Sequence, residues 1–276
     1  MRDRDRAERL MPTMLDLAWL GGRTGARQRR RRPGLDDLPW APIDAAPEVR
    51  REAQAVWSHA AFLEFASAAA FAALASALLE AAAPIDLIAE VSDIVVDELD
   101  HVEATCRLVM ALGGAAPVAF DLAQIAPRPT ADRSPRFRAA ELALTSSCIG
   151  ENLSLPALGR SRQTARAPLV AAVLDRIVAD EGGHAMVGFE VLGWAAPGLS
   201  EPELAELAEV ALTTLRACAP LWSAEACAAC PPPIGLGGHD HVTRVRLRRA
   251  VRTRIARPLA RCGVILDEVA LRSVGV

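Results

Sequence analysis

The chain contains no tyrosine and no lysine, and aromatic residues make up only 4% of its 276 residues. Without tyrosine, no catalytic radical can be stored on a phenol. Without lysine, every one of the 31 basic residues is arginine. That uniformity reads as the codon bias of a GC-rich genome, so arginine enrichment by itself carries no functional weight. The net charge of −3 lacks the footprint of a dedicated nucleic-acid binder. β-branched and aromatic runs of strand length are scarce, whereas Ala and Leu, strong helix formers, dominate. Long hydrophobic runs are also missing. The longest uncharged one, Phe65 to Leu79, is shorter than the roughly 20 residues a bilayer span needs. The N-terminus is charged and no apolar signal segment follows it. The six cysteines are mostly scattered through helical stretches, unlike a disulfide framework. A soluble, cytoplasmic, all-α protein is expected, with no membrane partner.

What is present is helical punctuation. Residues 1–46 read as an irregular arm, Gly/Arg-rich from Gly21 to Gly34, with Arg29 to Arg32 in a row. A solvated tail is the plain reading of it, an anionic partner the rival. Pro47 or Glu48 to about Ala82 predicts a first long helix. A second is opened at its first turn by Pro84 and closed by Gly113-Gly114. A Pro-rich connection, 115–134, is long enough to cross the end of a bundle. A third helix is predicted from Ser134 to Gly159 and a fourth from Pro168 to Ala195. Two helix pairs joined by one long crossover is the connectivity of ferritin-like bundles. Two C-terminal helices should follow: Ser200 to Cys218, opened by a capping box with Glu203, and Val242 to about Ala256. Residues 47–196 would form the bundle and 197–276 a helical extension packed on it.

The chemistry sits in two Glu-x-x-His motifs, Glu98-Leu-Asp-His101 and Glu181-Gly-Gly-His184. Residues three apart share a helix face, so each Glu and His can hold one metal from the same side. One such motif arises readily by chance; two in corresponding places do not. Each also has a lone Glu one helix earlier. Glu64 precedes Glu98 by 34 residues, and Glu151 precedes Glu181 by 30. Both lone acids lie in apolar stretches, where a carboxylate is costly unless paired or metal-bound. Four carboxylates and two imidazoles suit two divalent cations. Oxygen-rich ligation with one nitrogen per metal favours iron or manganese over a thiolate-seeking metal.

The strings Glu64-Phe-Ala-Ser67, Asp97-Glu-Leu-Asp-His101, Gly150-Glu151 and Asp180-Glu-Gly-Gly-His184 resemble the ferritin-like di-iron carboxylate superfamily, in particular a group of bacterial ferritin-like domain proteins. The resemblance spans residues 50–195. It implies a ferritin-like four-helix bundle with one long crossover plus the two C-terminal helices. It implies two iron ions, or manganese or a mixed pair, held by Glu64, Glu98, His101, Glu151, Glu181 and His184. In similar oxygenases an Asp before the motif accepts the free N–H of the opposite His, which pairs Asp97 with His184 and Asp180 with His101. The activity implied is an O₂-dependent oxidase or oxygenase that hydroxylates, desaturates or N-oxygenates a small organic substrate, free or carrier-bound. No flavin or ferredoxin motif is evident, so the electron donor would be external. A ferroxidase or a peroxidase is the alternative.

Other signals are weaker. A mainly apolar pocket is expected from Trp57, Ser67, Phe71, Ile94, Thr105, Ser147, Leu155, Ile177 and Gly188, with Gly188 leaving room. Pro156 should kink the third helix beside Glu151. Gly182-Gly183 suggests close approach of another segment, or local flexibility. His59 lies about 140° around the helix from Glu64 and should face away. Cys227-x-x-Cys230 with His239 and His241 has zinc-like residue types, but in a loose Pro/Gly-rich loop. Arg244 to Arg261 is a basic amphipathic stretch that either covers the bundle or docks an acidic carrier protein.

Overall fold

A computed structural model describes residues 34–118, 132–223 and 233–276, with Arg23 and Ala26 upstream. Most of the Arg-rich arm, the middle of the crossover and the Cys227/Cys230 pair lie outside the described residues. Helix α1 spans Pro47–Glu80 and α2 spans Ile85–Ala111. Pro84 is the cap residue before α2, one position earlier than its composition suggested. Gly113 and Gly114 adopt positive φ, and Gly114 N–H donates to the Val109 carbonyl, which closes α2. Helix α3, Pro135–Ala143, runs through a π-helical segment, Leu144–Glu151, into α4, Asn152–Thr164. The predicted third helix is therefore longer than foreseen and is not α-helical throughout. Helix α5 spans Pro168–Ala195 as its proline and alanine boundaries suggested. No strand occurs among the described residues.

Helices α1 and α2, joined by residues 81–84, pack as one hairpin. Helix α1 also touches α3, α2 touches α5, and α5 packs along α3, the π segment and α4. The contacts close a ring of four rods, and the fold is a ferritin-like helical bundle. Among the described residues α1 has the length and hydropathy of a membrane span. Its contacts with α2 and α3, however, make it a wall of the bundle.

Two apolar layers bracket the middle of the bundle. One contains Trp57, Leu108, Val173, Leu174 and Ile177; the other contains Phe71, Leu74, Val91, Ile94 and Val191. On α1, Trp57 and Phe71 belong to different layers, and Glu64 falls halfway between them in the sequence. A third core joins α3, the π segment and α4 to the C-terminal helices. There Leu144, Ile149 and Leu153 meet Leu207, Leu215, Val251 and Ile255. These C-terminal helices are α6, Glu201–Cys218; α7, His241–Ala250; a π segment, Val251–Ala256; and α8, Arg257–Arg261. A short α9, Glu268–Ser273, capped by Asp267, lies beyond the two predicted C-terminal helices. Ser200 and Glu203 form the expected capping box on α6. The described part of the arm packs on the bundle. Leu35 is buried, and Ile43 N–H donates to the Ala111 carbonyl.

Candidate metal centre

Between the two apolar layers the bundle is polar. Helix α2 contributes Glu98 and His101, and α5 contributes Glu181 and His184. Their ligand atoms lie within 4.8 Å of one another and all four residues are buried. Each motif works through the three-residue spacing that puts Glu and His on one helix face. His184 Nδ1 is 3.0 Å from Glu98 Oε1, and His101 Nδ1 is 3.5 Å from Glu181 Oε1. The lone acids stand at the two flanks. Glu64 of α1 has Oε2 3.6 Å from His101 Nδ1. Glu151, last residue of the π segment, accepts a hydrogen bond from Ser67 Oγ at 2.9 Å and neighbours Glu181.

Each imidazole uses its two nitrogens differently. Nδ1 faces the carboxylate cluster, while Nε2 faces an aspartate on the opposite helix. His101 Nε2 is 3.3 Å from Asp180 Oδ2, and His184 Nε2 is 3.5 Å from Asp97 Oδ2. An aspartate there favours the proton on Nε2 and leaves the Nδ1 lone pair free to ligate. Arg176 adds a further charge, 3.5 Å from Asp100 Oδ2.

The donor set fits a cation. Both oxygens of Glu98, Oε2 of Glu181 and both Nδ1 atoms are buried without a hydrogen-bond partner. An unpaired buried donor or acceptor costs about 1–3 kcal/mol, more when charged. Five such atoms converging on one place make sense if a metal satisfies them together. Without metal the cluster retains protons. Burial pushes Glu64 up to about 7, against the pull of His101. Burial also raises Glu151, and it raises Glu181 strongly, helped by the charges of Glu151, Glu98 and Glu64. Burial opposes charge on His184, but Asp97 and Glu98 outweigh it and hold the ring at about 9. For His101 the same opposition is overcome by Asp180, Glu64 and Glu98. Cation binding must displace these protons.

The expected pocket lining is only partly brought to this place. Ser67 bonds Glu151, and the Phe71 ring is 6.1 Å from the His184 ring. Ile94 packs in the Phe71 layer, and Ile177 in the other. Leu155 is half-buried on α4. Trp57 instead anchors the chain ahead of α7, donating from Nε1 to the Leu236 carbonyl and packing on Gly237. Thr105 bonds back to the carbonyls of His101 and Val102. Gly188 does not open space, contrary to expectation. A Cβ there would meet Ser147 at 2.6 Å and Cys148 Sγ at 2.8 Å. Ser147 Oγ is inserted into the ladder of α5, donating to the His184 carbonyl at 2.5 Å and accepting from Gly188 N–H at 2.8 Å. Gly182 and Gly183 meet no close segment: a Cβ on either would find nothing within 4 Å, and both are exposed. His59 is exposed, facing away from the cluster.

Sequence reasoning missed Asn152 and Arg254. Asn152 is 1% exposed, and its Nδ2 donates to the carbonyls of Ser147 and Ala185. Arg254 Nε donates to Asn152 Oδ1 at 3.2 Å. This chain of bonds ties the C-terminal helices to the residue next to Glu151. The signal available was a lone amide beside a lone acid in an apolar run, Cys148-Ile-Gly-Glu-Asn-Leu153.

The fold is ferritin-like, and the buried carboxylate–imidazole cluster inside it is a candidate metal site. Among solved structures, the chain is similar to a Synechococcus protein with aldehyde deformylating oxidase activity. The two superpose with a TM-score of 0.54 at 16% identity, over 84% of this chain and 98% of the other. No protein-family model matches the sequence. No curated protein matches it either.

Proposed function

We propose that this protein is a non-haem di-iron oxidase or oxygenase that uses O₂ to hydroxylate, desaturate or N-oxygenate a small organic substrate in the cytoplasm. The observation that carries this reading is the set of five buried, unpaired ligand atoms on Glu98, His101, Glu181 and His184. Glu64 and Glu151 complete a ligand set with one imidazole for each ion. Iron is the metal this donor set suits best, with manganese or a mixed pair next. When bound, the iron pair supplies activation of O₂ and the oxidising power. The protein's residues do the rest. Asp97 and Asp180 orient the imidazoles and hold the Nε2 protons. The layers of Phe71 and Ile177 keep bulk water from the cluster. Ser67 steers the Glu151 carboxylate. The Synechococcus neighbour's aldehyde deformylating oxidase activity supports the oxidase class.

An external donor must supply electrons. An acidic donor or carrier protein would meet the arginines of the C-terminal helices whose side chains have no bond among the described residues, such as Arg249, Arg257 and Arg261. Arg246, Arg252 and Arg254 already bind Gln163, Glu268 and Asn152.

The test is anaerobic loading with Fe(II), metal analysis, and the optical spectrum after O₂ is admitted. Two irons per chain and a new absorption band from the oxidised pair are expected. One iron, or none, sinks the di-iron reading.

A further inference from the structure

A second site lies in the C-terminal helices and shares no residue with the Glu/His cluster. A cleft of about 710 Å³ opens between the end of α6, the first turns of α7 and the last turn of the chain. Arg216 of α6 faces it from one side. His241, Arg244 and Arg248 face it from α7, spaced three and four residues apart and so on one helix face. Trp222 and Val245 form part of its apolar wall. Among the described residues no carboxylate lines it. The nearby acids are already engaged: Asp240 by Arg160, and Glu268 by Arg252. None of Arg216, Arg244 and Arg248 pairs with a carboxylate among the described residues.

Three arginines that line one concavity repel one another, a repulsion that a counter-anion would relieve. Arginine presents a planar fork of donors that matches phosphate oxygens two at a time. The volume falls within the usual range of about 300–1,000 Å³ for small-molecule sites. Trp222 is held in place by its Nε1–H bond to the Val274 carbonyl, at 3.0 Å. It offers a fixed ring edge to whatever is attached to the anion. We propose that this cleft binds a phosphate-bearing small molecule, with the phosphate held by Arg216, Arg244 and Arg248 and the organic part against Trp222 and Val245.

The test is titration calorimetry of the full chain with inorganic phosphate and with phenyl phosphate, at roughly physiological ionic strength of about 0.15 M. One phenyl phosphate should bind per chain, more tightly than inorganic phosphate. R216Q, R244Q and R248Q should each weaken it about tenfold, a loss typical of one charge-assisted contact. R257Q and R261Q, which remove the same charge elsewhere, should leave the affinity unchanged. All five residues are at least partly exposed, and unchanged circular dichroism would verify the fold of each variant. Absence of binding at millimolar probe overturns the proposal and leaves the cleft to an acidic protein. So does a loss of similar size in R257Q, which would indicate diffuse charge. Vesicles containing phosphatidylglycerol form the last arm. If they sediment the wild-type chain but not the R216Q/R244Q/R248Q variant, the phosphate belongs to a membrane surface and the small-molecule proposal fails.

Discussion

At the scale of single residues, the centre depends on which nitrogen of each histidine is left free. Asp97 and Asp180 lie within 3.5 Å of Nε2 on His184 and His101. Asp97→Ala and Asp180→Ala should each lower metal affinity about 10–100-fold, as loss of an outer partner of a ligating histidine does. Chelator competition measures this, and unchanged affinity in both variants would leave the aspartates without a role at the metal. The ligand groups themselves set a pH dependence. In the metal-free protein Glu64 is raised from 4.5 to about 7 and His184 from 6.5 to about 9. Groups whose pKa is raised on folding bind more protons in the native state. Their stabilisation is complete below the unfolded value and is lost as pH rises through the folded one. The metal-free thermal midpoint should therefore fall between about pH 4.5 and 9. Added Fe(II), which displaces protons, should stabilise more as pH rises. A metal-free midpoint that rises over this window would contradict the electrostatics of the cluster. Gly188 supplies a third residue-scale expectation. Gly188→Ala would put a methyl 2.6 Å from Ser147 and 2.8 Å from Cys148 Sγ, and should cost about 1–3 kcal/mol in denaturant unfolding.

At the scale of elements, α5 contains a weakness that packing does not require. Gly182 and Gly183 sit in the ligand-bearing turn, yet a Cβ on either is unobstructed. Alanine at each position should stabilise the helix by about 0.8–1.0 kcal/mol. If the variants are more stable but slower to take up metal, the glycines serve local opening; if they are not more stable, this account of α5 is wrong. Much of the element layout was readable from punctuation. Pro47, Gly113, Pro168 and the Ser200 capping box mark helix ends through dihedral limits and caps that act locally. The π segment at Leu144–Glu151 was not read. Thr145 and Ser146 donate there to carbonyls three and four residues back, but Thr105 does the same in α2, which stays α-helical, so these bonds alone do not account for it. Pro156 drew attention instead, but the departure from α geometry begins upstream of it. The buried grouping of Glu98, His101, Glu181 and His184 was legible because acids and histidines in apolar stretches demand a partner. The pocket was not. Whether Gly188 faces space or Ser147 is decided by side chains from another helix, which one helix's periodicity does not contain.

At the scale of the whole molecule, the bundle and the C-terminal helices share one core, and that arrangement bears on iron oxidation versus iron storage. A storage protein must pass iron onward to a mineral, along carboxylates leading away from the oxidation site, and must leave its faces free to pack into a shell. Here α3, the π segment and α4 are covered by α6, α7 and the segments that follow, through Leu207, Leu215, Val251, Ile255 and Leu259. The cluster itself is bracketed along the bundle axis by Trp57 and Ile177 on one side and Phe71, Ile94 and Val191 on the other. Glu98 is fully buried, and Glu64, at 14% exposure of its side chain, is the most exposed of the four glutamates. Ferric ions would have to leave past Glu64, past Asp97 and Asp180, which already face His184 and His101, or through apolar layers. The iron pair should therefore stay bound through repeated rounds of oxidation by O₂ and chemical reduction, with the iron count per chain unchanged after gel filtration. Excess Fe(II) should be oxidised only to the extent that it fills the centre. The decisive measurement is the number of Fe(II) consumed per chain in air. A count that stops near two supports a resident cofactor, whereas continued uptake with growth of a ferric core would replace the oxygenase reading with iron handling.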